Sequence, residues 1–212
     1  MNFLQLKQEI GRRLGESANP QFWPLADLGS FINEAYILTA SRLNLLETSA
    51  TISLVEGQWL YDIASNCHCV SRVYCGTNEL LVRPISWEKL MTYDSTWIQT
   101  SATSPMFYIM LKPDQIFFYP APTADDADAI TYHYTQIPTA LSADGSIPGI
   151  PAHYHDILLD YAESIALLRE RTPSSKKVAM KCMATYRDKL DGLRRKRDDI
   201  SSRAIRRRAW GS

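Results

Sequence analysis

The chain has 212 residues, 45% of them hydrophobic, with 23 Lys/Arg against 23 Asp/Glu and a formal net charge of zero. This length can bury a sizeable core. No apolar run reaches the length of a membrane span, and the opening MNFLQLKQEIGRR lacks a signal peptide's apolar stretch, which points to synthesis in a cytoplasm and to no membrane role. The zero hides a division: residues 1–171 carry 10 Lys/Arg against 19 Asp/Glu (−9), and residues 172–212 carry 13 against 4 (+9).

In chain order, residues 2–14 are predicted as a short helix with Phe3, Leu4, Ile10 and Leu14 as its apolar positions. After a break at 15–21 a second helix runs from Pro24 to Asn44. Leu25, Leu28, Phe31, Ile32, Ala35, Leu38 and Leu43 recur along it at three- and four-residue steps. From Glu47 the period shortens. TISLV, QWLYDIA, SRVYCG and NELLVRPIS read as short strands, with a turn at Glu56-Gly57. Ser86 is placed to cap a short helix ending near Tyr93. Residues 95–105 form a Ser/Thr-rich loop. MFYIMLK and QIFFYPAP flank a turn at Pro113-Asp114. AITYHYTQI then alternates, with Ile130, Tyr132 and Tyr134 on one face and Thr131, His133 and Thr135 on the other.

Residues 138–150 lead back to helix. Between Pro148 and Arg171, Tyr154, Ile157, Leu158, Tyr161, Ile165 and Leu168 form an apolar stripe, with Pro151 suited to the first turn. A last helix is predicted from Ser174 to Arg197, capped by Ser174 or Ser175, with Val178, Cys182, Tyr186, Leu190 and Leu193 facing inward. The expected class is α+β. Residues 1–46 and 148–197 form an antiparallel helical bundle, and 47–147 an inserted antiparallel β-sandwich or barrel-like body. Residues 198–212 form a basic C-terminal arm.

The chemistry-bearing residues point away from catalysis. Cys67 and Cys69 would share one strand face with His68 on the other, so with Cys75 they read as reduced structural thiols rather than metal ligands. His153 and His155 lie two apart, off a common helical face, and read as capping or surface residues. His133 reads as a half-buried packing residue. Asp125, Asp126 and Asp128 lack the glycine and distal glutamate of a calcium loop and read as a solvated turn. No phosphate-cradling glycine loop or nucleophile elbow occurs, and no cofactor is implied. Trp59, Tyr61, Tyr74, Phe107, Tyr108, Phe117, Phe118 and Tyr119 read as core or subunit contacts, with a sugar- or base-stacking platform as the alternative. The tail stands out. Arg194, Arg195, Lys196, Arg197, Arg203, Arg206, Arg207 and Arg208 are interleaved with apolar Ile200, Ile205 and Trp210, a composition suited to an interface with nucleic acid or with an acidic protein surface.

Four stretches carry a resemblance over about residues 4–193: DLGSFINEAYILTASRLN, TISLVEGQWLYDI, SPMFYIMLKPDQIFFYPAPTADDADAITYHYTQIP and IPGIPAHYHDILLDYAESIAL. In this order the chain resembles the head-to-tail adaptor (connector) proteins of tailed bacteriophages. It departs from them at Ile63-Ala64, where leucine-proline is usual, and in its Cys67–Cys75 cluster. The resemblance implies a structural, non-enzymatic virion protein at the head-tail junction. It implies a ring, commonly of twelve copies, beneath the portal protein, which extends the DNA channel and offers tail or nozzle proteins a surface. Viral DNA would pass without sequence-specific contact. The segment that reaches the portal would be the C-terminal one, making Arg194, Arg195, Arg197, Arg203, Ile205, Arg206, Arg207, Arg208 and Trp210 the expected docking residues. The alternative is a nucleic-acid-binding protein that uses the same arm.

Overall fold

Asn2 opens the first helix. Its side chain accepts a hydrogen bond from the Gln5 N–H, and the Gln5 side chain accepts from the Asn2 N–H, both at 2.9 Å. This reciprocal cap satisfies two donors that a helix start otherwise leaves open. The computed structural model describes residues 1–16, 22–76 and 80–209, without the side chains of Ala127, Asp128 and 197–209. In chain order its elements are α1 (Phe3–Arg13), α2 (Leu25–Leu43), β1 (Glu47–Leu54), β2 (Leu60–Asp62), β3 (Cys67–Cys75), β4 (Leu80–Pro84) and α3 (Trp87–Tyr93). There follow β5 (Ser101–Ala102), β6 (Phe107–Lys112), β7 (Gln115–Tyr119), β8 (Ala121–Pro122), β9 (Asp126–Gln136), α4 (His155–Glu170) and α5 (Pro173–Ala209). The fold is α+β, in two compact units: Met1–Leu45 with Pro138–Ser212, and Leu46–Ile137.

In the helical unit, α2 buries Leu28, Phe31, Ile32, Ala35 and Leu43 as its spacing predicts, while Leu25, on its first turn, is exposed. It ends at Asn44 in the left-handed region (φ 47°, ψ 50°), with the Asn44 N–H turned back to the carbonyls of Ala40 and Ser41. On α4, Leu159, Asp160, Ala162, Ser164 and Ala166 are buried along with Ile157, Leu158 and Tyr161, and Leu168 is exposed. The reason is that α1, α2 and α5 all pack against α4, so burial spreads beyond one stripe. Pro151 precedes a single 3-10 turn, Ala152–Tyr154, rather than standing in α4 itself.

Three expectations about the last helix need correction. Its cap is Thr172, whose hydroxyl accepts from the Ser175 N–H at 3.1 Å, and not Ser174 or Ser175. Pro173 takes the first helical position, where its missing N–H leaves no donor unpaired. The inward residue of the next turn is Ala179, with Val178 exposed, followed by Tyr186 and Leu190. The helix also does not stop at Arg197. It continues to Ala209, 37 residues in all, a rod of about 55 Å.

The segment before α4 is pinned to α1 and α2. Both the amide nitrogen and the carbonyl of Asn33 bond Leu141, with Asn33 Nδ2 donating to the Leu141 carbonyl at 3.0 Å and the Leu141 N–H donating to Asn33 Oδ1 at 2.8 Å. The Gly149 N–H donates to Tyr36 Oη at 2.9 Å, and Lys7 Nζ reaches Asp144 Oδ1 at 2.5 Å.

In the other unit seven strands form one sheet in the order β1-β9-β3-β4-β6-β7-β2. Neighbours are antiparallel except β4 and β6, which run parallel through Arg83↔Phe107 and Pro84↔Tyr108. This corrects the fully antiparallel expectation. The chain leaves β4, crosses through α3 and re-enters as β6 in the same direction, as a crossover permits and a tight hairpin does not. A parallel β5–β8 pair forms a second, two-stranded sheet. Ile52, Leu54, Val73, Val82, Ile116, Phe118, Ile130, Tyr132 and Tyr134 make the main core. Leu90, Ile109, Phe117 and Tyr119 make a second cluster. The predicted face of β9 is buried, and Thr135 from the opposite face is buried too.

Candidate docking interface

Three helices meet at Asp160. This carboxylate is mostly buried on α4. Arg13 Nη1, at the end of α1, donates to its Oδ1 at 3.0 Å, and Lys189 Nζ of α5 donates to its Oδ2 at 2.5 Å. Arg13 also reaches Glu9 at 3.5 Å, Glu163 at 3.6 Å and Asp156 at 3.9 Å. One acid flanked by two cations from other helices sets the register and direction of α5 against α1 and α4. Below it, Tyr186 of α5 packs its ring 5.0 Å from that of Tyr161, with its hydroxyl 3.4 Å from Thr39 Oγ1. Tyr161 Oη donates to Glu34 at 2.7 Å, and burial, then the Glu34 carboxylate, pushes its phenol up to about 12. Arg169 lies over the Phe31 ring at 4.5 Å.

Above this clamp, α5 leads into the basic segment. A cleft of about 360 Å³ lies between α4 and α5, lined by His153, Asp156, Ile157, Lys189, Gly192, Leu193 and Lys196. Lys196 is exposed at its edge, and Arg194 and Arg195 are exposed beside it. Arg197, Arg203, Ile205, Arg206, Arg207 and Arg208 lie on the continued α5 backbone, and their side chains lie outside the described ones. Trp210 lies outside the described residues.

Other candidate residues sit as follows. His153 is exposed, with its ring 4.1 Å from that of Tyr154. His155 is no surface residue: it is buried, its Nδ1 accepts from the Met1 amino group at 3.1 Å, and burial together with that amine holds its pKa down. The expectation that Cys67 and Cys69 share a face fails. The register of β3 against β9 slips between them, so Cys67 is buried and Cys69 is exposed. All four cysteines are free thiols, and burial pushes those of Cys67 and Cys75 up. Asp125 Oδ1 accepts from the Glu56 N–H at 2.8 Å, Asp126 starts β9, and the Asp128 side chain lies outside the described ones. Among the described residues no group of three or more His, Cys, Asp and Glu is placed to hold a metal ion. No described helix is long and apolar enough to cross a membrane. Of the aromatic residues, Tyr61, Tyr108, Phe117, Phe118 and Tyr119 are buried in the two cores.

One polar centre escaped the sequence reading. Asp94 Oδ1 accepts from the Thr96 N–H and hydroxyl, both at 2.8 Å, and its Oδ2 accepts from Thr100 Oγ1 at 2.5 Å and Tyr119 Oη at 2.7 Å. These donors, Thr100 first, hold its carboxyl well below the usual carboxylate range. The spacing Asp94-Ser95-Thr96 hints at a local turn of this kind, but Tyr119 is brought in by the fold alone. The arrangement staples the loop after α3 onto β7 and presents no open reactive group.

A search of curated proteins returned no match. A family model described as SU10 adaptor protein matches residues 1–208. With a family match over nearly its whole length, this chain belongs to the SU10 adaptor proteins, a family of phage head-to-tail adaptors.

Proposed function

We propose that the chain is a structural component of the head-tail junction that assembles as a ring, commonly of twelve copies, beneath the portal protein. The helical unit acts as a bundle that frames the ring, and the β-unit faces tail or nozzle proteins. Residues 194–210, including Arg194, Arg195, Arg197, Arg203, Ile205, Arg206, Arg207, Arg208 and Trp210, dock on the portal. The observation that carries this reading is a +9 segment, residues 172–212, that is almost wholly one long helix, α5, held near its middle where Lys189 joins Arg13 of α1 on Asp160. A clamped helix delivers its distal end in a set direction, and guanidinium forks suit the carboxylates of an acidic groove. The acid is concentrated in the β-unit, where residues 46–137 carry 4 Lys/Arg against 10 Asp/Glu. A channel lined by such a surface repels phosphate and lets DNA pass without adhering. The test is to mix purified portal with the full chain and with a chain lacking 194–212. Attachment of the full chain only is expected.

The same +9 segment favours a second reading, nucleic-acid binding through the arm. That reading requires duplex binding that weakens steeply with salt. The adaptor reading requires the acidic body, residues 1–171, to bind DNA weakly at every salt concentration.

A further inference from the structure

The proximal part of α5 carries a second charged surface, separate from the distal segment. From Arg171 to Arg187 the sequence RTPSSKKVAMKCMATYR holds five cations and no carboxylate. Lys176, Lys177, Lys181 and Arg187 are all exposed, and no ion pair among the described residues involves any of them. Two apolar side chains stand among the lysines, Val178 at 48% and Met180 at 69% exposure. The opposite face of the helix, Ala179, Tyr186 and Leu190, is turned inward. An unpartnered helix face with an apolar centre and a basic rim has the composition of an interface.

The β-unit offers the complement. At the turn between β1 and β2, Val55 is 45% exposed and stands beside exposed Glu56, Asp125 and Asp126. The corner is rigid. The Val55 N–H donates to Tyr61 Oη at 3.0 Å, the Glu56 N–H to Asp125 Oδ1 at 2.8 Å, and the Gly57 N–H to the Pro122 carbonyl at 2.9 Å. Gly57 holds φ at 72°, a conformation side-chain-bearing residues rarely adopt. The charges are opposite on a larger scale as well. Residues 172–193, short of the distal segment, carry 5 Lys/Arg against 2 Asp/Glu, a balance of +3, opposite in sign to the −6 of residues 46–137. Two complementary patches on one chain form a heterologous contact, and such a contact closes into a ring when the rotation between copies allows.

We propose that the Lys176–Lys177–Lys181 face of α5, centred on Met180, docks on the Val55–Glu56–Asp125–Asp126 corner of a second copy of this chain. The inference rests on the ring reading above and names the surface that makes the ring. The contact sorts copies by charge, so it weakens with salt, while Met180 and Val55 bury apolar area between the lysines and the carboxylates.

The test uses the full chain and two variants, K176E/K177E/K181E and E56K/D126K, each checked for an unchanged unfolding midpoint. Oligomeric state is read by light scattering and native mass spectrometry. Wild type is expected to form rings. Each variant alone is expected to lose self-association by about a hundredfold, because like charges then face each other at every contact. An equal mixture of the two variants is expected to recover rings of alternating composition, since reversed α5 meets reversed corner and native meets native. Rings formed by either variant alone as readily as by wild type overturn this interface and leave the ring reading standing. The same holds for loss of rings in both variants without rescue in the mixture, and for loss of rings on reversal at Asp62 and Asp114, two other exposed carboxylates of the unit, in place of Glu56 and Asp126. A wild-type chain that stays monomeric at all concentrations overturns both readings. Duplex DNA binding that is lost in K176E/K177E/K181E while rings persist assigns the patch to nucleic acid instead.

Discussion

Arg13 Nη1 and Asp160 Oδ1 stand 3.0 Å apart, joining residues 147 positions apart in the chain. With Lys189 on the other carboxylate oxygen, this pair ties α1, α4 and α5 at one point. Replacing Asp160 by Asn leaves two cations facing a neutral amide in a mostly buried site. The expected loss is about 2 kcal/mol, below the range for fully buried pairs because Lys189 can turn to solvent. Urea unfolding of the D160N variant measures it. The apolar double replacement D160L/R13M is expected to regain part of the loss, since it removes the unpaired charge as well as its partner.

The Asn33 side chain bonds both backbone groups of Leu141. Asn33→Ala leaves a carbonyl and an N–H without their partner in a partly buried segment. The expected cost is about 2 kcal/mol, with Asn33→Asp costing about half because the acceptor remains. Denaturant midpoints of the two variants test the order.

Asp94 gives the β-unit its own acid sensitivity. Its folded-state pKa is depressed by Thr100, Tyr119 and Thr96. Its contribution is therefore present above the unfolded carboxylate pKa of about 3.9 and is lost as pH falls through the folded value. Tyr119, pushed up to about 12 by burial and by Asp94, stays protonated and keeps donating through neutral pH. Asp94→Asn is expected to lower stability at pH 7, and its deficit against wild type is expected to shrink, without closing, at pH 2. Urea midpoints of both chains at the two pH values check this.

The bulge between Cys67 and Cys69 makes a labelling prediction. In the native chain Cys69 should react with a thiol reagent first. Cys67 and Cys75, buried with thiols pushed up, should react only on unfolding. Cys182, half-buried and pushed up by burial and by Glu163, should be slow. Mass mapping of a timed labelling reaction gives the order.

Much of the helical unit was legible because its signals are local. The spacing of Leu28, Phe31, Ile32 and Ala35 marks α2, and Ser86 marks the start of α3. The strands of the large sheet were legible from alternation and from the turns at Glu56-Gly57 and Pro113-Asp114. What was not legible depends on distant pairing. The parallel joining of β4 to β6, the slip that separates Cys67 from Cys69, and the burial of His155 against Met1 are each set by a neighbour far along the chain. Thr172 capped α5 because Pro173 starts the helix one residue earlier than Ser174 suggested. The reach of α5 to Ala209 was missed because the apolar stripe fades after Leu193, and charged residues continue a helix without one.

In the proposed assembly the distal part of α5 and the residues beyond it dock on the portal. Electron microscopy of purified portal mixed with the full chain, and with a chain ending at residue 193, tests it most directly. Rings seated on the portal are expected for the full chain, and free rings for the shortened one. Rings seated equally well by both chains would contradict it.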